Sequence, residues 1–204
     1  MKIIVFGANG RTGQELIKQA VNKGIEVTAF VRNAESIKLQ SDKLNIVVGQ
    51  ATNYEDVKKA IAGHDAVVSC IGGAGIKVST IITDITNNVV NAMNEVGIKR
   101  IVQVSSAGVH NELTGLIGKL STMMLKNALK DHEGAYNKLK SGKVNYTLAR
   151  PMALTEEAYT GVYRESESGV PKKGRNISRA DVADFLLMAL QDDNYIGKSV
   201  GLAY

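Results

Sequence analysis

The chain has 204 residues, 44% apolar and 22% charged, with a formal net charge of +5, which is long enough to bury a full core. Aromatic residues make up 5%, Trp is absent, and Lys and Arg are scattered apart from short clusters such as Lys172-Lys173-Gly174-Arg175. This argues against a nucleic-acid stacking surface and suits an anionic small molecule. Cys70 is the only cysteine, which excludes an intrachain disulfide and a multi-cysteine metal site, so no metal is expected. The first residues read as a strand rather than a signal peptide, and no apolar run has transmembrane length. The expectation is a cytoplasmic protein without membrane or nucleic-acid partners, a monomer or weak homo-oligomer.

Lys2-Ile3-Ile4-Val5-Phe6 is a short apolar run of the kind that forms a buried parallel strand. Gly7-Ala8-Asn9-Gly10-Arg11-Thr12-Gly13 follows, and then Gln14 to Lys23, where Leu16, Ile17, Ala20 and Val21 share a helical face. Strand, glycine-rich turn and helix form the context that a dinucleotide fingerprint requires. Gly7 permits a tight turn, Gly10 puts no side chain between backbone and pyrophosphate, and Gly13 lets helix and strand pack closely. The helix offers free N–H groups and its positive dipole end to phosphates.

Ile25 to Val31 alternates and is rich in β-branched residues, predicting a second strand. Arg32-Asn33 comes next, where such folds meet the adenosine ribose. An Arg there, with no nearby Asp, grips a 2′-phosphate and favours NADP(H) over NAD(H). Leu44 to Val48 predicts a third strand, with Gln50 at its carboxyl end within reach of adenine, and Glu55 to Ala62 a short helix. Ala66 to Ile71 reads as a central strand followed by Gly72-Gly73, and Thr80 to Val96 as a long helix closed by Gly97. Lys99 to Val104 leads into Ser105-Ser106-Ala107-Gly108. Leu113 to Lys140 is expected to be mostly helical, weakened at Gly115, Gly118 and Gly134. Asn145 to Ala149 predicts a strand broken by Arg150-Pro151. Residues 155–176 look irregular, and Ser178 is expected to cap a final helix, Ala180 to Gln191, with Asp181 in its first turn. Alternating strands and helices predict an α/β fold with a doubly wound parallel sheet, the Rossmann fold, and helices on both faces. The whole chain, 1–204, reads as one NAD(P)-binding domain whose C-terminal part, about 151–204, is a small substrate-side elaboration. Ligand should bind at the carboxyl ends of the strands, placing Gln50, Ile71, Gly72, Ser105 and Pro151 beside the cofactor together with the glycine-rich turn.

The motifs GANGRTG, VRN, AVVSCIGG, VSSAG and YTLARP, in this order, resemble an atypical short-chain dehydrogenase/reductase. Ala158-Tyr159, Asn176-Ile177-Ser178-Arg179 and Asn194-Tyr195-Ile196-Gly197 are similar to the biliverdin-IXβ reductase/flavin reductase group, and NmrA-like proteins are more distant. The resemblance implies that Gly7, Asn9, Arg11, Thr12 and Gly13 hold the pyrophosphate and Arg32 the 2′-phosphate. It places Ser106 beside nicotinamide and substrate, against the alternative of a simple turn serine. Tyr136 falls near a His that lines the substrate pocket in that group, a departure that bears on bilin specificity.

Tyr136-Asn137-Lys138-Leu139-Lys140 also fits the Y-x-x-x-K catalytic pair, whose i, i+4 spacing puts both residues on one helical face. In relatives with that chemistry the pair lies further upstream of the proline. The matching positions here fall near Asn127-Ala128 and Asp131-His132, which lack Tyr and Lys. His132 is expected at the pocket rim or in solvent, without a metal. The function implied is an NADPH-dependent reductase of a flat conjugated acceptor: a flavin, bilin or quinone. The alternatives are a non-enzymatic NADP(H) sensor of NmrA-like type, and a carbonyl dehydrogenase or epimerase using Tyr136 and Lys140.

Overall fold

A computed structural model describes residues 1–204 except Ala74, Ile76 and Thr114 and the side chains of Leu116 and Ile117. The strands in chain order are β1 (Lys2–Phe6), β2 (Glu26–Val31), β3 (Leu44–Val48), β4 (Ala66–Ser69), β5 (Arg100–Val104), β6 (Asn145–Pro151), β7 (Ala153–Thr155), β8 (Arg164–Ser166), β9 (Asn176–Ser178) and β10 (Lys198–Ala203). The helices are α1 (Arg11–Asn22), α2 (Tyr54–Ile61), α3 (Ile81–Val96), α4 (Gly115–Met124), α5 (Lys126–Ser141) and α6 (Arg179–Gln191).

Eight strands form one sheet in the order β3-β2-β1-β4-β5-β6-β10-β8, and β7 pairs with β9 in a second small sheet. Among the described residues of the large sheet, only β8 runs antiparallel to its neighbour. This is the expected Rossmann-type α/β fold. Each central strand is apolar on both sides because helices cover both faces. One core cluster joins Ile3, Val5, Leu16, Val102, Phe185 and Leu186, the α1/α6 side. The other joins Ile4, Phe6, Val57, Val89, Met93 and Leu139, the α2/α3/α5 side. Alternate residues of β1 therefore feed opposite cores.

The strand order reverses between β1 and β4, and the connections leaving these neighbours diverge to open a crevice at the carboxyl end. The two segments pass so closely there that a Cβ on Gly7 would lie 2.6 Å from the Cys70 carbonyl carbon. Gly7 also has φ +72, a left-handed conformation that glycine adopts without strain.

Several local expectations are corrected. The strand expected to break at Arg150-Pro151 continues through both. Proline removes only the N–H, and the Pro151 carbonyl still accepts the Ala107 N–H at 2.9 Å. The long helical stretch divides at Leu125 into α4 and α5, not at Gly118 or Gly134, and its Thr114 lies outside the described residues. Gly134 instead allows close packing of α5 on α3, since a Cβ there would sit 2.3 Å from the Thr83 hydroxyl. The irregular stretch 155–176 holds β8, whose three residues are too few to show alternation. Ser178 does cap α6, accepting the Asp181 N–H at 3.0 Å.

Candidate functional site

The glycine-rich turn shapes an anion-binding helix start by what it leaves out. Gly10 is the N-cap of α1 and has no side chain to bond the first-turn N–H groups; the first turn also carries no acidic residue. Helices α2, α3 and α6 differ. Asn53 caps α2 with Glu55 and Asp56 in its first turn, Ser178 caps α6, and the Asp131 carboxylate accepts the Ile82 and Thr83 N–H groups of α3 at 3.1 and 2.8 Å. The turn is also closed on itself. Gly10 N–H bonds Gly7 O at 3.0 Å, and a Cβ on Gly13 would lie 2.3 Å from that same oxygen. Thr12 and Gly13 are buried and Asn9, Gly10 and Arg11 exposed, so Thr12 faces inward and the open side of the turn is mostly backbone. Uncapped N–H groups, an uncompensated helix dipole and an exposed backbone turn opening on the cavity fit a dinucleotide pyrophosphate.

A cavity of about 330 Å³ continues from this turn across the carboxyl ends of β1, β2, β3 and β4. It gathers Gly7, Asn9, Gly10, Arg32, Gln50, Ile71 and Gly72 of the expected residues. Ile71, Ile81 and Ile85 give it an apolar side suited to a flat base. Arg32 is exposed, and Asn33 beside it caps a short turn by accepting the Glu35 N–H at 3.0 Å. Cys70 also lines the cavity, and burial pushes its thiol up to about 12, so it stays protonated and unreactive at neutral pH.

Arg11, Thr12, Gly13, Ser105, Ser106, Tyr136 and Pro151 are not among the residues lining that cavity. Ser105 and Pro151 lie at the neighbouring ends of β5 and β6, joined by the Ser105 N–H to Ala149 O bond at 2.7 Å and the Ala107 N–H to Pro151 O bond. Among the described residues the buried Ser105 hydroxyl has no partner, whereas Ser106 is partly exposed and its hydroxyl donates to Ala107 O at 3.0 Å.

Tyr136 stands in an aromatic group: His110 meets it edge-on at 4.8 Å between centroids and Tyr146 at 6.0 Å. Burial, with the hydrogen bond to Tyr136, pushes the Tyr146 phenol up to about 12. Lys140, one turn further along α5, is exposed. Asp131, near the position that matches the catalytic lysine of relatives, is used up in holding α3, and also accepts the Thr83 hydroxyl at 2.9 Å. His132 is buried rather than in solvent, its Nδ1 has no partner among the described residues, and burial lowers it to about 4. Among the described residues, no three His, Cys, Asp or Glu side chains gather to hold a metal.

Two residues that sequence reading missed fix the wall beyond β5. Arg150, 1% exposed, forms a buried ion pair with Glu112 and donates to the Ser199 hydroxyl at 2.9 Å and its carbonyl at 3.1 Å. His110 bonds the same hydroxyl at 2.9 Å. The one signal in the sequence was a charged residue inside an otherwise apolar strand pattern, YTLARP.

The profile of a family described as NAD(P)H-binding matches residues 7–193. The chain belongs to this NAD(P)H-binding family. An uncharacterised chloroplastic protein of Arabidopsis thaliana is 30% identical over 202 residues, covering 93% of this chain and 71% of its own. Two solved structures share the fold. A short-chain dehydrogenase/reductase from Veillonella parvula in complex with NADP superposes with TM-score 0.84 at 20% identity, covering 100% of this chain and 94% of its own. An anaerobillin reductase from Escherichia coli O157:H7 superposes with TM-score 0.81 at 20% identity, covering 100% and 97%. The protein is therefore an NAD(P)H-binding protein with a Rossmann-type fold. No described helix is long and apolar enough to cross a membrane.

Proposed function

We propose that the protein is an NADPH-dependent reductase of a flat conjugated acceptor: a flavin, bilin or quinone. The observation that carries this is the fate of the acid–base positions. Asp131 is spent on the start of α3, Tyr136 is packed between His110 and Tyr146, and Lys140 is exposed. A carbonyl substrate needs a positioned proton donor, whereas a flat acceptor delocalises the charge it gains and takes its proton from solvent. The exposed Leu120, Met123 and Met124 of α4 add an adaptable apolar surface. That the anaerobillin reductase shares the fold agrees with such an acceptor.

In this mechanism Gly7, Asn9, Gly10, Arg11, Thr12 and Gly13 hold the pyrophosphate, largely through backbone N–H groups, and Arg32 takes the 2′-phosphate. Gln50, Ile71 and Gly72 line the adenosine end. Ser105, Ser106 and Pro151 border the nicotinamide, and Ser106 orients ring or acceptor by hydrogen bonding. When bound, the reduced nicotinamide supplies hydride, and the protein supplies stacking distance and exclusion of water. Tyr136 shapes the wall, and residues of about 151–204 contribute the acceptor side of one domain.

Steady-state NADPH oxidation with FMN, riboflavin, biliverdin and quinones tests this. At least one acceptor should be reduced, Lys140→Ala should keep most of the activity, and Tyr136→Phe should change it mildly. Ser106→Ala should lower turnover with NADPH affinity nearly unchanged. A loss of about 10²–10⁴-fold in Lys140→Ala would establish general acid catalysis instead. Tight NADPH binding without turnover on any acceptor would establish a sensor.

A further inference from the structure

The open end of α1 meets a second cationic group from the far end of the chain. The α1 and α6 helices lie side by side, tied by Gln19 Nε2 to Ala180 O at 2.8 Å and Lys23 to Asp184 at 2.9 Å. Arg11 and Arg179 are their first residues, and their two guanidinium groups converge on one carboxylate although the start of α6 lies further along α1. A single carboxylate oxygen, Glu156 Oε1, accepts from Arg11 at 2.6 Å and from Arg179 at 3.0 Å. Two guanidinium charges against one carboxylate leave the cluster positive.

The fold holds Glu156 there from both sides. Thr155 immediately before it ends β7, paired with Ser178 of β9. Just beyond it, Asp181 accepts the Thr160 N–H at 3.0 Å and the Gly161 N–H at 2.8 Å. Arg179 is 14% exposed at its side chain, and its other partner is the Thr155 carbonyl at 3.4 Å. Glu156 is 57% exposed and returns to water easily. A mostly buried guanidinium thus has, among the described residues, one replaceable counter-charge, which it shares with Arg11 of the glycine-rich turn.

We propose that Arg179 is a second cationic ligand for the cofactor's pyrophosphate, and that Glu156 is the internal anion that holds Arg11 and Arg179 together until the pyrophosphate takes its place. The inference rests on NAD(P)H lying on the Gly7–Gly13 turn. Cofactor binding then exchanges one ion-pair partner for another, and the strap at 155–161 is released from Arg11 as the site fills.

The test is the NADPH dissociation constant, read by nucleotide fluorescence at low and high salt without an acceptor. Glu156→Gln removes the competing anion and should tighten binding about fivefold to tenfold, with a smaller gain at high salt. Arg179→Gln should weaken binding about tenfold, and Arg179→Lys should recover only part because it lacks the planar fork. Unchanged or weaker binding in Glu156→Gln, with the melting temperature unchanged, overturns the proposal and makes Glu156 a structural tether. If Arg179→Gln does not fold, Glu156→Gln and Arg179→Lys still decide it. Absence of NADPH binding by the unmodified protein would instead overturn the placement of the cofactor itself.

Discussion

Arg32 and His132 show how one side chain carries a measurable consequence. Arg32 is exposed at the rim of the cavity. If Arg32 takes the 2′-phosphate as proposed, the charge-assisted contact is worth about 1.5–3 kcal/mol. NADPH should therefore bind at least about tenfold more tightly than NADH, and Arg32→Asp should reverse the order; equal affinities in isothermal titration would rule out the phosphate role. Burial lowers the His132 imidazole to about 4, against the nearby Asp131 charge that raises it. The unfolded chain takes up that proton near 6.5 and the native state only near 4, so between these values the unfolded state binds more protons. This contribution is fully present above pH 6.5 and is lost as pH falls towards about 4, amounting to at most about 3 kcal/mol. Urea unfolding across this pH range should show the decline, and His132→Leu should flatten it.

Within one element, the glycines of the turn have separable duties. A Cβ on Gly13 would meet Gly7 O at 2.3 Å and Ala8 Cα at 2.9 Å, both backbone atoms that cannot move without shifting α1. On Gly10 the nearest atom is Gly7 O at 3.2 Å, and its φ of −69 suits any residue. Gly13→Ala should therefore destabilise the protein by about 1–3 kcal/mol, the cost of overpacking. Gly10→Ala should fold with nearly the native melting temperature yet bind NADPH more weakly, because Gly10 is exposed and lines the cavity proposed to hold the cofactor. Thermal denaturation paired with a cofactor titration separates the two. Spacing made the turn and α1 legible. The division at Leu125 was not, because Met124, Leu125 and Lys126 are all good helix formers and no glycine or proline marks the break.

Across the whole molecule, the buried Arg150–Glu112 pair joins the segment after β5 to β6 and β10. Burial pushes the Glu112 carboxyl up, but backbone N–H groups and the Arg150 charge hold it below its usual range. Removing one partner strands a charge where water cannot reach, so Glu112→Ala should cost about 3–5 kcal/mol, while the pair Glu112→Leu with Arg150→Met should recover much of it. Chemical denaturation of the single and double variants checks this. An unchanged midpoint in Glu112→Ala would mean that Ser199 alone satisfies the guanidinium.

Local chemistry by itself determined the order of most strands and helices, the cradle at Gly7–Gly13 and the Ser178 cap. Each depends on residues a few positions apart, whose backbone preferences and periodicity are set before the chain folds. The tertiary structure decided what depends on distant partners. Asp131 caps α3 from 49 residues away, Arg150 meets Glu112 across 38, and Glu156 reaches Arg11 across 145. Sequence spacing carries no trace of these pairs, because burial and the crossing of helices select the partner of a charge only once the sheet has brought the strand ends together.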